Sequence, residues 1–162
     1  MSLIIAIIVS FVMLIIDQLT KLLTLSHLQN GIKSVTVIDG ILSFSYRGNN
    51  GAGFSILSGR TEFLVLFTFV ALAVILYLLI KGTYRSHLTD WGFTLIISGG
   101  LGNLIDRLFR NGVVVDFINL DFIDFPVFNV ADICVTVGAG LIILYFLIEA
   151  VKEYKAKGKK ND

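Results

Sequence analysis

The chain has 162 residues, is 56% apolar and only 15% charged, and carries a net charge of +1. Soluble proteins carry about 25% charged residues, so the shortage of charge excludes an ordinary soluble surface, and the near-zero balance excludes a nucleic-acid binder that relies on a basic face. The lone cysteine, Cys134, excludes an internal disulfide and a thiolate metal centre.

The first apolar run, Leu3–Leu25, is broken only by Ser10, Asp17, Gln18, Thr20, Lys21 and Thr24. It has no basic leader, exceeds the usual apolar core of a signal peptide and precedes no Ala-x-Ala site, so it reads as a retained helix. Asp17 and Lys21 stand four apart, on one helical face, with the acid first. That spacing points to a mutual ion pair that locks the helix to its neighbours.

Between this run and the next, Lys33–Ile38 and Ile41–Tyr46 are short alternating segments flanking Asp39-Gly40. Asp-Gly at such a place predicts a hairpin closed by a type I′ turn, which needs positive φ at both central residues. Arg47-Gly-Asn-Asn-Gly-Ala-Gly-Phe54 follows, glycine-rich enough for tight turns but lacking the Lys-Ser/Thr of a phosphate loop. The outer β region is expected over 33–54.

Three more apolar runs follow: Phe63–Ile80, free of charge; Trp91–Phe109, apolar until Asp106 and Arg107; and Val127–Ile148, interrupted by Asn129, Asp132 and Thr136. A spanning helix needs about 20 apolar residues. The expected fold is an all-α integral membrane protein in one domain over 1–162, with four spans near 3–25, 63–80, 91–109 and 127–148. A small extracytoplasmic β-hairpin or cradle joins the first two, and a basic tail over 150–162 frays into solvent. Lys81 and Arg85 in one connection and Lys152, Lys155, Lys157, Lys159 and Lys160 in the tail place both termini in the cytoplasm.

In the third run Gly99, Asn103 and Arg107 recur at four-residue steps and form one stripe. The glycines Gly99, Gly100 and Gly102 allow close helix approach. Asn103 and Arg107 then aim polar groups along the same line, either as a packed seam or to hold an oxygen of a bound molecule. The stretch from Val113 to Asp132 carries Asp116, Asp121, Asp124 and Asp132 among apolar residues. Acids beside hydrocarbon are candidates for function. Asn129-Val-Ala-Asp132 also has capping-box spacing, so Asp132 has a structural explanation of its own. If Asp116 comes close to it, the two acids share a proton, as a two-carboxylate hydrolase requires.

Zinc chemistry is unsupported, since His27 and His87 are isolated and no His-Glu-x-x-His occurs. A serine nucleophile has no histidine base within any span. Paired aspartates survive this elimination. So does a transporter with Asp17, Asp106, Asp116 and Asp132 as a relay, and so does a purely structural membrane partner.

Five blocks, Asp17-Gln-Leu-Thr-Lys21, Asn49-Asn-Gly-Ala-Gly-Phe54, Gly99-Gly-Leu-Gly-Asn-Leu-Ile-Asp-Arg107, Val114-Val-Asp-Phe117 and Phe128-Asn-Val-Ala-Asp132, occur in an order and spacing that closely resemble the bacterial lipoprotein (type II) signal peptidases. The resemblance extends to about Glu149. It implies an aspartic endopeptidase of the cytoplasmic membrane, with its site toward the outer face, that cuts lipid-modified prolipoproteins before the lipidated cysteine. By motif position it implies Asp116 and Asp132 as the catalytic dyad. Asn49, Gly51, Gly99, Asn103, Arg107, Asn129 and Ala131 become substrate-binding or supporting residues, and Asp17 and Lys21 structural ones. Gly53 stands where the family usually has Ala. The expected partners are prolipoprotein and membrane lipid, without nucleic acid, cofactor or metal, for a monomeric enzyme.

Overall fold

The computed structural model describes residues 3–29, 33–51 and 57–158. Gly53 and Phe54, the far end of the expected outer region, and Lys159 and Lys160 of the tail lie outside the described residues. In chain order the elements are α1 (Leu3–Thr24), prolonged by one π-helical turn at Leu25–Gln29, then β1 (Val35–Ile38), β2 (Leu42–Asn49), α2 (Thr61–Lys81), α3 (His87–Phe109), β3 (Val114–Leu120) and α4 (Val130–Gly158).

The helices are inside out relative to a soluble bundle. On α1 the buried residues are Ala6, Asp17, Lys21 and Thr24, while Ile4, Ile7 and Phe11 are exposed. On α2 only Leu64 is buried, and Phe63, Phe67 and Phe69 face outward. Water would penalise such faces; hydrocarbon does not. Three segments, Leu3–Gln29, Thr61–Lys81 and Val130–Gly158, are long and apolar enough to cross a membrane.

α3 is the hub, packed against α1, α2 and α4. Its buried residues include Gly92, Thr94, Ser98, Gly99, Gly102 and Asp106. A helix surrounded by other helices meets little lipid, which accounts for its more polar composition. Close approach is built into it: a Cβ on Gly99 would collide with the Ala131 carbonyl of α4, and one on Gly102 would come within 2.5 Å of Asp17 Oδ2 on α1.

Several boundaries differ from the sequence expectation. α3 begins at His87 rather than Trp91, because Ser86 and Thr89 form a capping box: Ser86 Oγ accepts from the Leu88 N–H and Thr89 Oγ1 from the Ser86 N–H. α4 begins at Val130, not Val127, and runs to Gly158. The tail expected to fray is therefore helical over much of its length, with Lys152–Glu149 and Lys157–Glu153 pairs one turn apart.

The outer β structure also differs. The Asp39-Gly40 turn has positive φ only at Gly40 (+67°), so it is not type I′; Asp39 keeps an ordinary backbone, and Ile41 N–H closes the turn on the Ile38 carbonyl at 3.0 Å. Ile38 then pairs with Leu42, and a register shift follows. The hairpin is part of a three-stranded antiparallel sheet in the order β1-β2-β3. Its third strand comes from the connection between α3 and α4. The strand hides in the sequence because Val-Val-Asp-Phe-Ile-Asn-Leu, buried at its first four positions, lacks clean alternation.

Candidate active site

β3 brings the first of the two acids into the bundle. Its start is fixed by Asp106 of α3, whose Oδ2 accepts the Val115 N–H at 3.1 Å. Its far half pairs with residue 128: Ile118 N–H donates to the Phe128 carbonyl at 2.8 Å and Phe128 N–H to the Ile118 carbonyl at 3.1 Å. The connector therefore folds back on itself, which sets Asp116 beside Asn129, at the entrance to α4. Antiparallel pairing with β2 sets Arg47 opposite Asp116 and Asn49 opposite Val114.

Asp116 is buried. Its Oδ1 accepts from Asn129 Nδ2 at 2.6 Å and its Oδ2 from Asn49 Nδ2 at 3.0 Å. Asp132 lies in the first turn of α4 and is half-buried. Both arms of a capping box are formed there: the Asp132 N–H donates to Asn129 Oδ1 at 2.9 Å, and the Asn129 N–H to Asp132 Oδ2 at 3.1 Å. Asp132 Oδ1 is left for Asn103 Nδ2, at 2.8 Å. Capping thus occupies one carboxylate oxygen of Asp132 and leaves the other directed at α3. Asn129, itself wholly buried, is bonded to both acids.

Burial, and then the charge of Asp132, push the Asp116 carboxyl up to about 7, against the opposing pull of the Asn49 and Asn129 hydrogen bonds and of Lys21. An acid in that range exchanges its proton near neutrality.

Around the pair the chain builds a rigid frame. Asn49 Oδ1 accepts the Gly51 N–H at 2.9 Å, and the Gly51 carbonyl accepts from Arg107 at 2.8 Å. Arg107 also donates to the Asn103 carbonyl at 3.3 Å, while its Nε is buried without a hydrogen-bond partner among the described residues. Ala131 is fully buried, and its N–H donates to Asp17 Oδ1 at 2.9 Å. Lys21 contacts Asp17 and Asp106, each at 2.9 Å, and donates to Asn103 Oδ1 at 3.0 Å. The Asp17–Lys21 spacing therefore produces an ion pair that is shared with α3.

Three contributors are absent from the site residues read from the sequence: Asp106, Arg110 and Gln18. Asp106 is wholly buried, pairs with Lys21 and Arg110, and accepts from Gln18 at 3.2 Å. Gln18 also donates to Asp17 and to the Gly102 carbonyl. The Asp106/Arg110 spacing of four was a readable signal; the reach of Gln18 across to α3 was not. Asp121 and Asp124 stay apart from the pair. Asp121 accepts from Ser43 at 2.7 Å and Asn119 at 2.5 Å, tying the sheet's end, and Asp124 is exposed. No cluster of metal-binding side chains occurs among the described residues.

An inside-out helix bundle with two amide-held carboxylates at one end is a multi-pass membrane protein equipped for acid–base chemistry. Comparison with known proteins narrows the class. The profile of the Signal peptidase (SPase) II family matches residues 9–148. A lipoprotein signal peptidase of Lactobacillus johnsonii is 39% identical over 90% of this chain and 94% of its own length. One from Lactiplantibacillus plantarum is 46% identical over 82% and 87%, and one from Streptococcus pyogenes 43% over 85% and 90%. A solved bacterial membrane enzyme, determined by the in meso method at 2.3 Å resolution, superposes with a TM-score of 0.84 at 34% identity over 91% of this chain and 90% of that one. The chain belongs to the signal peptidase II family, and is a bacterial membrane hydrolase of the aspartic type.

Proposed function

We propose that Asp116 and Asp132 are the catalytic pair with which this enzyme removes signal peptides from prolipoproteins, cutting before the lipid-modified cysteine. The observation that carries the assignment is the double role of Asn129, which donates to Asp116 and closes the capping box with Asp132. Around the pair four carboxylates (Asp17, Asp106, Asp116, Asp132) face three cations (Lys21, Arg107, Arg110). One proton on the pair makes the cluster neutral, the cheapest state for buried charge. Asp116, more buried and raised to about 7, is the holder of that proton, and Asp132 is the base.

Hydrolysis then needs no other nucleophile than water. Asp132 takes a proton from water as its oxygen bonds to the peptide carbon, and Asp116 gives its proton to the carbonyl oxygen, leaving a gem-diol and reversed protonation of the pair. Asp132 returns its proton to the amide nitrogen as the C–N bond breaks, and Asp116 recovers the diol proton as the new carboxyl forms. Asn49, Asn103 and Asn129 hold both acids in place throughout, and Arg107 holds the Gly51 carbonyl at the rim.

Position suits a lipid-bearing substrate. Asp17, Asp106 and Asp132 sit at the ends of α1 and α3 and the start of α4, so the site lies at one end of the bundle beneath the sheet. α3 serves as a fourth span, shielded from lipid by its neighbours. With Lys81, Arg85, Lys152 and Lys155 at the opposite end, the termini are cytoplasmic and the site opens at the extracytoplasmic face. The protein works as a monomer in one domain, with lipid around it.

The test is cleavage of a lipidated precursor by Asp116→Asn and Asp132→Asn variants that insert normally. Substantial activity in either removes the dyad assignment. The relay reading is disfavoured by placement: the four acids it needs gather at one end of the bundle and do not string across it.

A further inference from the structure

Each asparagine around the pair has its amide oxygen engaged, which decides where its N–H groups point. Asn49 Oδ1 accepts from Gly51 and Asn129 Oδ1 from Asp132, both backbone donors within three residues. Asn103 has no such local donor. Its Oδ1 accepts from Lys21 Nζ at 3.0 Å and from Asn129 Nδ2 at 3.1 Å. Asn129 Nδ2 is already committed to Asp116 at 2.6 Å and to the Val115 carbonyl at 3.3 Å. Among the described residues Lys21 is thus the strong donor to this oxygen and the only charged one. It comes from a different helix, is fully buried, and is held by Asp17 and Asp106 on either side.

We propose that Lys21 is a positioning residue of the reaction: by occupying Asn103 Oδ1 it orients the amide so that Nδ2 faces Asp132, which keeps Asp132 in the ionised form that acts as base. A flipped Asn103 would present its oxygen to Asp132 Oδ1, and two acceptors meet only if the acid carries a proton. The ion pair on α1 therefore does more than lock helices together; it selects the protonation state one amide away. This rests on the dyad assignment above.

The charged groups around the pair are Asp17 and Lys21 from α1, Asp106 and Arg107 from α3, and Arg110 just after it; Arg47 of β2 stands opposite Asp116 in the strand ladder with its side chain exposed. Of the cations among the described residues, only Lys21 donates to the side-chain oxygen of an amide that bonds an acid of the pair. Its charge also favours the ionised form of Asp116.

The experiment is the pH profile of precursor cleavage, in detergent micelles, for Lys21→Met and Lys21→Gln beside the unaltered enzyme. Methionine removes both the donor and the charge; glutamine keeps an N–H for Asn103 and removes only the charge. Lys21→Met is expected to lower kcat about 10- to 100-fold, as the loss of one hydrogen bond from a charged donor would, with KM little changed and both limbs of the profile moved to higher pH. Lys21→Gln, which keeps the amide oriented, is expected to recover most of kcat and to move the limbs less than Lys21→Met does. A Gln variant no faster than Met overturns the proposal, as do limbs displaced as far in Lys21→Gln as in Lys21→Met. If Lys21→Met fails to accumulate, Lys21→Gln alone decides: kcat near that of the unaltered enzyme upholds the proposal, and a loss of about 10-fold or more overturns it. Asp116→Asn and Asp132→Asn run in the same assay keep the two readings separable: activity there sinks the dyad, whereas inactivity there with no rescue by glutamine sinks only this inference.

Discussion

Two groups of acids lie side by side in this protein and are treated oppositely. Asp17 and Asp106 are bound by cations: Lys21 lies 2.9 Å from each, and Arg110 pairs with Asp106. Among the described residues, Asp116 and Asp132 receive hydrogen bonds only from neutral donors, the amides of Asn49, Asn103 and Asn129 and one backbone N–H. The first group is committed to its charge and joins α1, α3 and the start of β3 and α4. The second is oriented without being neutralised. An amide fixes the position of a carboxylate and lowers its proton affinity without supplying a counter-charge, and at Asp116 burial outweighs that pull; a contacting cation commits the acid to its charge. The contrast separates a structural ion cluster from a pair able to pass a proton.

The sharpest way to break that contrast is to neutralise one acid from each group. Asp116→Asn or Asp132→Asn should lower cleavage by about 10³-fold or more, measured as single-turnover rate on a lipidated precursor, because residues acting as a unit fail together. Asp106→Asn should instead act on stability. It leaves Lys21 and Arg110 short of a buried counter-charge, a loss of about 3–5 kcal/mol, read as a lower thermal midpoint in detergent. If Asp106→Asn kept its stability and lost only activity, the division between the groups would be wrong.

Proton uptake gives a finer probe. Asp116 is raised above its unfolded value, so its contribution to stability is full below about pH 4 and is lost as pH rises through about 7. Thermal midpoints of the intact protein should carry this component over that range, and those of Asp116→Asn should lack it. If Asp116 is the proton donor proposed above, cleavage should also decline above about pH 7, where Asp116 loses that proton. The smallest effect is expected outside both groups. Asp121→Asn weakens the contacts to Ser43 and Asn119 and should cost about 1 kcal/mol with cleavage near the original rate; Asp124→Asn, at an exposed position, should change neither.

The contrast was only half visible in the residue order. Spacing of four linked Asp17 with Lys21, and spacing of three linked Asn129 with Asp132, because both relations are contained within one helix and one helix start. Apolar runs located the long helices for the same reason, although their ends depended on Ser86 and Thr89 and on the Glu–Lys pairs of α4, which extended two helices beyond their apolar stretches. The sheet was half legible: turn chemistry announced β1 and β2, but β3 looked like part of a connector, since a strand buried on both faces has no alternation to read.

By itself, then, the sequence determined a lipid-facing, mainly helical chain with acids concentrated near the ends of its apolar runs, since hydropathy and local spacing are properties of neighbouring residues. Pairing β3 with β2 and with Phe128 decided which acids meet. Packing α1 against the glycine face of α3 decided that Lys21 would sit between Asp17 and Asp106 with its third contact on Asn103. Those contacts join residues as far apart in the chain as Asp17 and Ala131, and only tertiary structure can bring such distant partners within hydrogen-bonding distance.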